Sequence, residues 1–566
     1  MELAVWQRPF VIAGLRDGTG SRRAMRREAT RRERPNARPL LRIAWWVVFV
    51  FVLIAVIAIR LRLLGIPLER DEGEYAYAGQ LLLQGIPPYQ LAYNMKFPGV
   101  YAAYALIMAL FGQTPAGVHL GFLIINLAAI ALIFLIGQKL LSETAGLAAA
   151  GAYAMLSVSP SVLGLAAHAT HFVMLPVLGA TLILLTPPER RSLSALGGSG
   201  FLFGLGLLMK QPGAAFVLFG VGYLIWTDFQ AHLGWKKIAR RSVVFACGVG
   251  LPIAVTFFLL WRTGVFARFW FWTIDYARAY GSETSLNRGL QYFARNFLQV
   301  VSDGWLIWAL AGLGVISCTW NARMRQRAVF LLGFLGFSAL ALSAGLYFQK
   351  HYFIFILPAV ALFAGAAVAG LTELIPARPT AAGFAPLLLF AIALALPLVG
   401  NRTLFYSLSP EAACRELYFN NPFVESIEIA KFVREHTDPS DNIAVLGSEP
   451  EIYFYSHRHS ATGYIYTYAL MEVQRYVGEM QAQMIQEIEK SRPRMVIFVS
   501  VTPSWLMEEN SDRTILDWIN NYLGSNYVGI GLVNIFASEP SEYYLPLESK
   551  PARVSPDRIL IYERKP

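Results

Sequence analysis

The chain has 566 residues, of which 55% are hydrophobic, 13% aromatic and only 15% charged, and its mean hydropathy is +0.46. That composition excludes an ordinary soluble protein and implies a polytopic membrane protein. The formal charge of +11 suggests a nucleic-acid partner until it is divided along the chain. Residues 1–42 carry eleven Arg against four acids, residues 43–400 carry 22 basic and 11 acidic groups, and residues 401–566 carry 15 basic and 22 acidic groups. Charge distributed in this way follows membrane topology, and no nucleic acid is expected.

The basic segment 1–42 abuts the apolar run Ile43–Leu64, long enough to cross a hydrocarbon layer that needs about 20 residues. The run lacks a small-residue cleavage site, so it reads as a retained signal anchor with a cytoplasmic N-terminus. Residues 65–98 then form an extracytoplasmic loop. Carboxylates are costly in a bilayer and persist at edges, in cavities or at sites of chemistry. Four of the eleven acids of the middle segment, Glu69, Asp71, Glu72 and Glu74, fall within this loop.

Further apolar runs lie near 99–112, 118–138, 144–158, 161–186, 195–209, 212–226, 242–262, 303–320, 328–346, 352–370 and 381–399. The basic turns around Arg191, Lys236–Arg241 and Arg323–Arg327, and more weakly Arg378, belong on the cytoplasmic side. That parity predicts 11 to 13 transmembrane helices, the higher number if 161–186 breaks near His168 and His171. It also brings four polar spots to the outer face: the 65–98 loop, the His168–His171 stretch, Lys210-Gln211-Pro212-Gly213 and Gln349-Lys350-His351. The 263–302 loop, with Arg268, Asp275, Glu283, Arg288 and Arg295, lies there too.

The segment 401–566 loses the long apolar runs and reads as an extracytoplasmic soluble α/β domain. Asn442–Gly447 and Arg494–Ser500 predict buried strands, while Val424–His436 and Glu472–Lys490 have helical periodicity. In Gly447-Ser448-Glu449-Pro450, Ser448 is placed to cap a helix whose first turn holds Pro450. Cys247, Cys318 and Cys414 are scattered, without disulfide or zinc spacing.

Residue chemistry leaves two roles open for Asp71: general base for an acceptor hydroxyl, or N-cap of an amphipathic helix 72–84 with Glu74 at its third position. Lys210 and Lys350 interrupt apolar stretches, where a cation either faces a cavity or snorkels outward. His168 and His171 could share a helix face as packed or hydrogen-bonded imidazoles, or as metal ligands. The glycines Gly197, Gly198, Gly200, Gly204 and Gly206 lie in an apolar span and signal close helix packing, not a nucleotide cradle.

The Asp71-Glu72 pair just after the first span, the Tyr/Ala-rich helix ending in Gly85 and Pro87, and Lys96-Phe97-Pro98 before the second span resemble the membrane GT-C glycosyltransferases. The resemblance is to the branch of protein O-mannosyltransferases and lipid A aminoarabinose transferases. It extends over residues 43–400, with weaker echoes in Gly204–Gly213 and Tyr347–Pro358. It implies transfer of a sugar, with inversion, from a polyprenyl-phosphate donor to an acceptor hydroxyl on a lipid, glycan or protein, outside the plasma (inner) membrane. It further implies Asp71 as the base, Glu72 as the neighbour that shapes the site, and Lys96 as a holder of donor phosphate, although Phe97 interrupts the commoner Lys-Pro-Pro form. His171 stands where the family often has an acid. Lys210, Lys350, His351 and Tyr352 complete the expected substrate contacts, and no metal is required, so an assisting divalent ion is left open. The alternative is a transporter or flippase of envelope precursors; intramembrane Lys and short spans fit it, whereas carboxylates gathered in an outer loop do not.

Overall fold

The computed structural model describes residues 37–319, 321–374, 381–536, 539–548 and 551–566. The Arg tract before residue 37 and Arg378 lie outside the described residues, so the expectations placed on them are not addressed.

A multi-helix apolar bundle carries a C-terminal region of mixed α/β structure. Among the described residues five helices, Pro39–Arg62, Pro115–Leu140, Trp235–Arg262, Met324–Leu342 and Leu357–Leu374, are long and apolar enough to cross a membrane. Leu286–Asp303 and Trp305–Ser317 pass that test only together, across a 105° bend. The apolar helices Gly99–Phe111, Ala169–Leu184, Leu193–Met209 and Ala385–Gly400 have 13–17 residues, a rise of only ~20–26 Å against ~30 Å of hydrocarbon. The 11 to 13 crossings expected from the apolar runs therefore resolve into five or six full-length helices beside these shorter ones.

The glycine pattern does what its composition implies. Helices Leu193–Met209 and Trp235–Arg262 approach so closely that a Cβ on Gly200 would stand 2.1 Å from the Phe245 carbonyl oxygen. Basic turns meet at one end of the bundle. Arg42 pairs with Glu143 at 2.8 Å, Lys139 bonds Thr186 at 3.1 Å, and Arg241 holds buried Asp228 at 2.6 Å with Arg191 3.7 Å away.

Two expectations need correction. The 263–302 segment is helical, not a loop: it runs Phe266–Trp270, a π-helix Phe271–Tyr276, Ala277–Ser282 and then Leu286–Asp303. Its charges recur at helical spacing on one face, which gives an amphipathic helix and lowers the average hydropathy that would have marked it. The second concerns Ser448, which caps no helix. Helix Glu451–Ser456 has Pro450 at its cap, and the Ser448 hydroxyl bonds the Ser504 carbonyl at 2.6 Å instead.

The C-terminal sheet has six strands in the order β2-β1-β3-β6-β4-β5. They are β1 Asn442–Leu446, β2 His459–Ser460, β3 Met495–Ser500, β4 Tyr527–Asn534, β5 Glu542–Tyr544 and β6 Arg558–Arg564. β1 runs parallel to β2 and β3; β6 is antiparallel to β3 and β4, and β5 to β4. Helices Glu425–Glu435 and Val477–Ser491 accompany the sheet, the latter starting five residues later than its periodicity suggested.

The buried side chains form two cores. One lies among the apolar helices. The other runs without interruption from Tyr75, Tyr77, Tyr101 and Tyr104 through Tyr453 and Tyr464 into β1, β3 and β6. The α/β region is thus packed onto the segment that follows the first long helix.

Candidate active site

Helix Arg70–Leu83 positions the acidic cluster, and its start explains which acid is free. Glu69 is the N-cap: its carboxylate accepts the Glu72 amide at 3.1 Å, while the Glu72 carboxylate accepts the Glu69 amide at 3.3 Å. This reciprocal capping box satisfies two amides of the first turn. The capping reading proposed for Asp71 and Glu74 is therefore wrong by two residues, and Asp71 is released from backbone duty.

Asp71 points into a cavity of about 530 Å³. One carboxylate oxygen, Oδ1, lies 3.0 Å from Lys96 Nζ and 3.4 Å from the Tyr466 hydroxyl; the other, Oδ2, lies 3.9 Å from His351 Nε2. Burial pushes this carboxyl up, but the Lys96 ammonium 3.0 Å away outweighs it and holds Asp71 well below the usual carboxylate range. Lys96 also donates to Tyr75 Oη at 3.0 Å and stands 3.7 Å from Glu74. Burial opposes its charge, yet Asp71, Tyr75 and Glu74 keep it firmly protonated.

The neighbours of Asp71 do other work. Glu72 is 1% exposed and does not line the cavity. It accepts the Ala167 amide at 2.6 Å and lies 3.1 Å from His119 Nε2, so it ties the helix to the 163–168 turn and to helix Pro115–Leu140. Glu74 accepts the Tyr101 hydroxyl at 2.6 Å, and burial, partly offset by Lys96, pushes it up to about 7.

The other expected residues divide. His351 and Tyr352, in the 3-10 helix Lys350–Phe355, line the cavity. Lys210, at the end of helix Leu193–Met209, sits behind Tyr352 with its ammonium 4.1 Å from the ring centroid. Burial and then the charge of Lys96 lower it to about 7. Lys350 and His171 are not brought in. Lys350 is half-buried outside the cavity lining, and His171 packs on Phe122 at 4.6 Å.

His168, not His171, faces the cavity. It caps helix Ala169–Leu184, where the expected break falls, and its ring stacks on His351 at 4.3 Å and 14°. Burial lowers His168 to about 4 and His351 well below its ordinary value, which keeps both imidazoles neutral. One ligand atom from each of Asp71, His168 and His351 lies within 4.8 Å of the others. Two neutral imidazoles and a carboxylate oxygen suit a divalent ion. The sequence reading assigned no metal ligands; among the described residues these three form the group that fits one.

Sequence reasoning missed the far wall. Tyr466, Tyr468 and Glu472 come from the C-terminal region, and Trp272, Tyr276, Tyr280 and Tyr347 from the helical segment and turn around it. The alternating Tyr464, Tyr466 and Tyr468 were a readable signal.

Comparisons with known proteins bear on family pattern and on fold. Residues 96–261 match the family model described as dolichyl-phosphate-mannose-protein mannosyltransferase, a match that begins at Lys96 and leaves out Asp71. No curated protein matches the sequence. The fold is similar to that of ArnT from Cupriavidus metallidurans, solved with undecaprenyl phosphate. That comparison gives a TM-score of 0.58 and 15% identity, over 92% of this chain and 98% of that one. It is similar also to the oligosaccharyltransferase AglB from Archaeoglobus fulgidus, solved with an inhibitory peptide and a dolichol-phosphate. There the TM-score is 0.51 and the identity 14%, over 90% of this chain and 75% of that one. The family pattern in residues 96–261 is thus carried on a multi-pass membrane fold similar to that of ArnT.

Proposed function

We propose that the protein moves a sugar from a polyprenyl-phosphate donor to an acceptor hydroxyl, with Asp71 as general base. One observation carries the assignment: in the acidic cluster, Asp71 alone is spared by the capping box and enters the cavity bound to a cation, Lys96. The lipid phosphates bound to ArnT and AglB support the donor class.

The chemistry follows from the pairing. In the unliganded site Lys96 neutralises Asp71, which is then a weak base. A donor phosphate approaching Lys96 draws the ammonium away, and the Asp71 carboxylate regains basicity as the substrate arrives. The acceptor oxygen attacks the anomeric carbon, its proton passes to Asp71, and the sugar–phosphate bond breaks with its electron pair on the departing polyprenyl phosphate. Lys96 stabilises the charge that develops there, and buried Lys210 adds a second cation behind Tyr352. A divalent ion held by Asp71, His168 and His351 would supply Lewis-acid stabilisation of phosphate oxygens.

The protein is read as 1–42 cytoplasmic, 43–400 membrane-embedded with the 65–98 loop outside, and 401–566 extracytoplasmic. The basic turns collected at the opposite end of the bundle support that orientation.

The test is transfer from radiolabelled polyprenyl-phosphate sugars in membranes holding equal amounts of wild type and Asp71→Asn. A general base contributes ~10²–10⁴-fold, so Asp71→Asn should lose transfer by that factor. Equal labelling by the two proteins would sink the assignment of Asp71.

A further inference from the structure

The catalytic end of the cavity uses only part of it. The volume of about 530 Å³ is in the range of sites that enclose a whole small ligand, ~300–1,000 Å³, and the wall away from Asp71 has a different chemistry. Trp272 and Tyr276, 5% and 3% exposed, project from the π-helix Phe271–Tyr276. Such turns recur at functional sites. Tyr280 and Tyr347 stack in parallel at 4.5 Å and 14°. Among these rings stand two carboxyls: Glu472 accepts the Tyr276 hydroxyl at 2.5 Å, and Glu283 accepts the Tyr347 hydroxyl at 3.4 Å. The remaining Glu283 oxygen, Oε1, is buried without a hydrogen-bond partner among the described residues. Among the described residues no Lys or Arg is paired with either carboxyl there.

We infer that this aromatic end of the cavity is the acceptor subsite and that it takes a saccharide, so that the attacked hydroxyl belongs to a sugar ring. The inference rests on the glycosyltransferase reading above and names its acceptor class. Electron-rich ring faces attract the positively polarised C–H face of a pyranose, and carboxyls at the edge take its hydroxyls as bidentate partners. Glu472, pushed up by burial to about 7, can present a proton as well as a lone pair, and burial moves Glu283 in the same direction. That suits hydroxyls, which donate and accept, better than an ammonium. A peptide acceptor would need a row of backbone partners, and ring faces offer none. Tyr466, in the same 464–472 segment as Glu472, reaches Asp71 at 3.4 Å, which joins this end to the base.

The experiment is saturation-transfer NMR on the purified full chain in detergent, with the methyl glycosides of glucose, glucosamine, galactose and mannose as probes and Ala-Ser-Ala as the peptide control. Ring protons of at least one glycoside should receive saturation. Glu472→Gln and Trp272→Leu should weaken that binding about tenfold, the loss expected for one charged hydrogen bond or ring contact. Trp272 is buried, so if Trp272→Leu lowers the melting temperature, the isosteric Glu472→Gln decides. The inference is overturned if no glycoside binds, if binding is indifferent to Glu472→Gln, or if only the peptide binds. Polyprenyl phosphate release, followed in parallel, separates the two ideas: absence of release with glycoside binding intact removes the enzyme reading, and release without glycoside binding removes the subsite.

Discussion

Asp71, Glu72 and Glu74 are adjacent acids with three different fates, and the difference lies in what each reaches. Asp71 turns to Lys96 and the cavity, Glu72 to His119 and a buried amide, and Glu74 to Tyr101. The sequence exposed the cluster because four carboxylates beside an apolar run stand out. It could not assign the capping box, since Glu69–Glu72 and Asp71–Glu74 have the same spacing. Tyr466 was hidden for another reason: it sits 395 residues from Asp71, and only the fold brings its hydroxyl to Asp71 and to the Arg70 carbonyl, 2.9 Å away. Tyr466→Phe should lower kcat about tenfold, the worth of one hydrogen bond to a charged group, with KM for the donor nearly unchanged. Steady-state kinetics that put the whole loss in KM would make Tyr466 a binding residue.

At the scale of elements, helix Arg70–Leu83 is clasped from two sides. Arg70 reaches Glu449 at 2.9 Å, Tyr77 stacks on Tyr453 at 5.1 Å, and Gly73 faces helix Glu451–Ser456. A Cβ at Gly73 would stand 2.7 Å from the Glu451 Cβ and 2.8 Å from its amide nitrogen. Gly73→Ala must therefore push the two helices apart. It should lower the melting temperature, at the ~1–3 kcal/mol scale of overpacked sites, and expose the contact to limited proteolysis. An unchanged cleavage pattern and melting temperature would show that the contact yields. Strands β1 and β3 were legible as short apolar runs because both faces are covered. β4, β5 and β6 were not, since their burial alternates or fails at the sheet edge. The amphipathic helix Leu286–Asp303 was overlooked because a search for continuous apolar runs passes over a helix with one polar face.

For the whole molecule, the second core makes the C-terminal region part of one packed body with the segment after the first long helix, and its charges affect stability. Burial, and then the nearby Glu449, pushes the Glu451 carboxyl up to about 8, against ~4.3 in an unfolded chain. An acid whose folded value is raised binds its proton more tightly in the native state. Its stabilising contribution is complete below the unfolded value and is lost as pH climbs towards 8. The wild type in detergent should thus lose melting temperature between pH 5 and 8, and Glu451→Gln should flatten that slope; parallel curves for the two proteins would remove Glu451 as its source. The same long-range contacts also set a sequence of events in time. Asp71 is made early in synthesis, while Glu449, which anchors Arg70 beside it, is 379 residues downstream of Arg70. At ~5–20 residues per second, roughly 20–80 s separate their emergence. During that interval a chain already seated in the bilayer holds its acidic helix without the partners that later pack on it. Nascent or prematurely terminated chains would then stand in the membrane with the Arg70–Leu83 helix uncovered, and under the function proposed above they would be silent precursors.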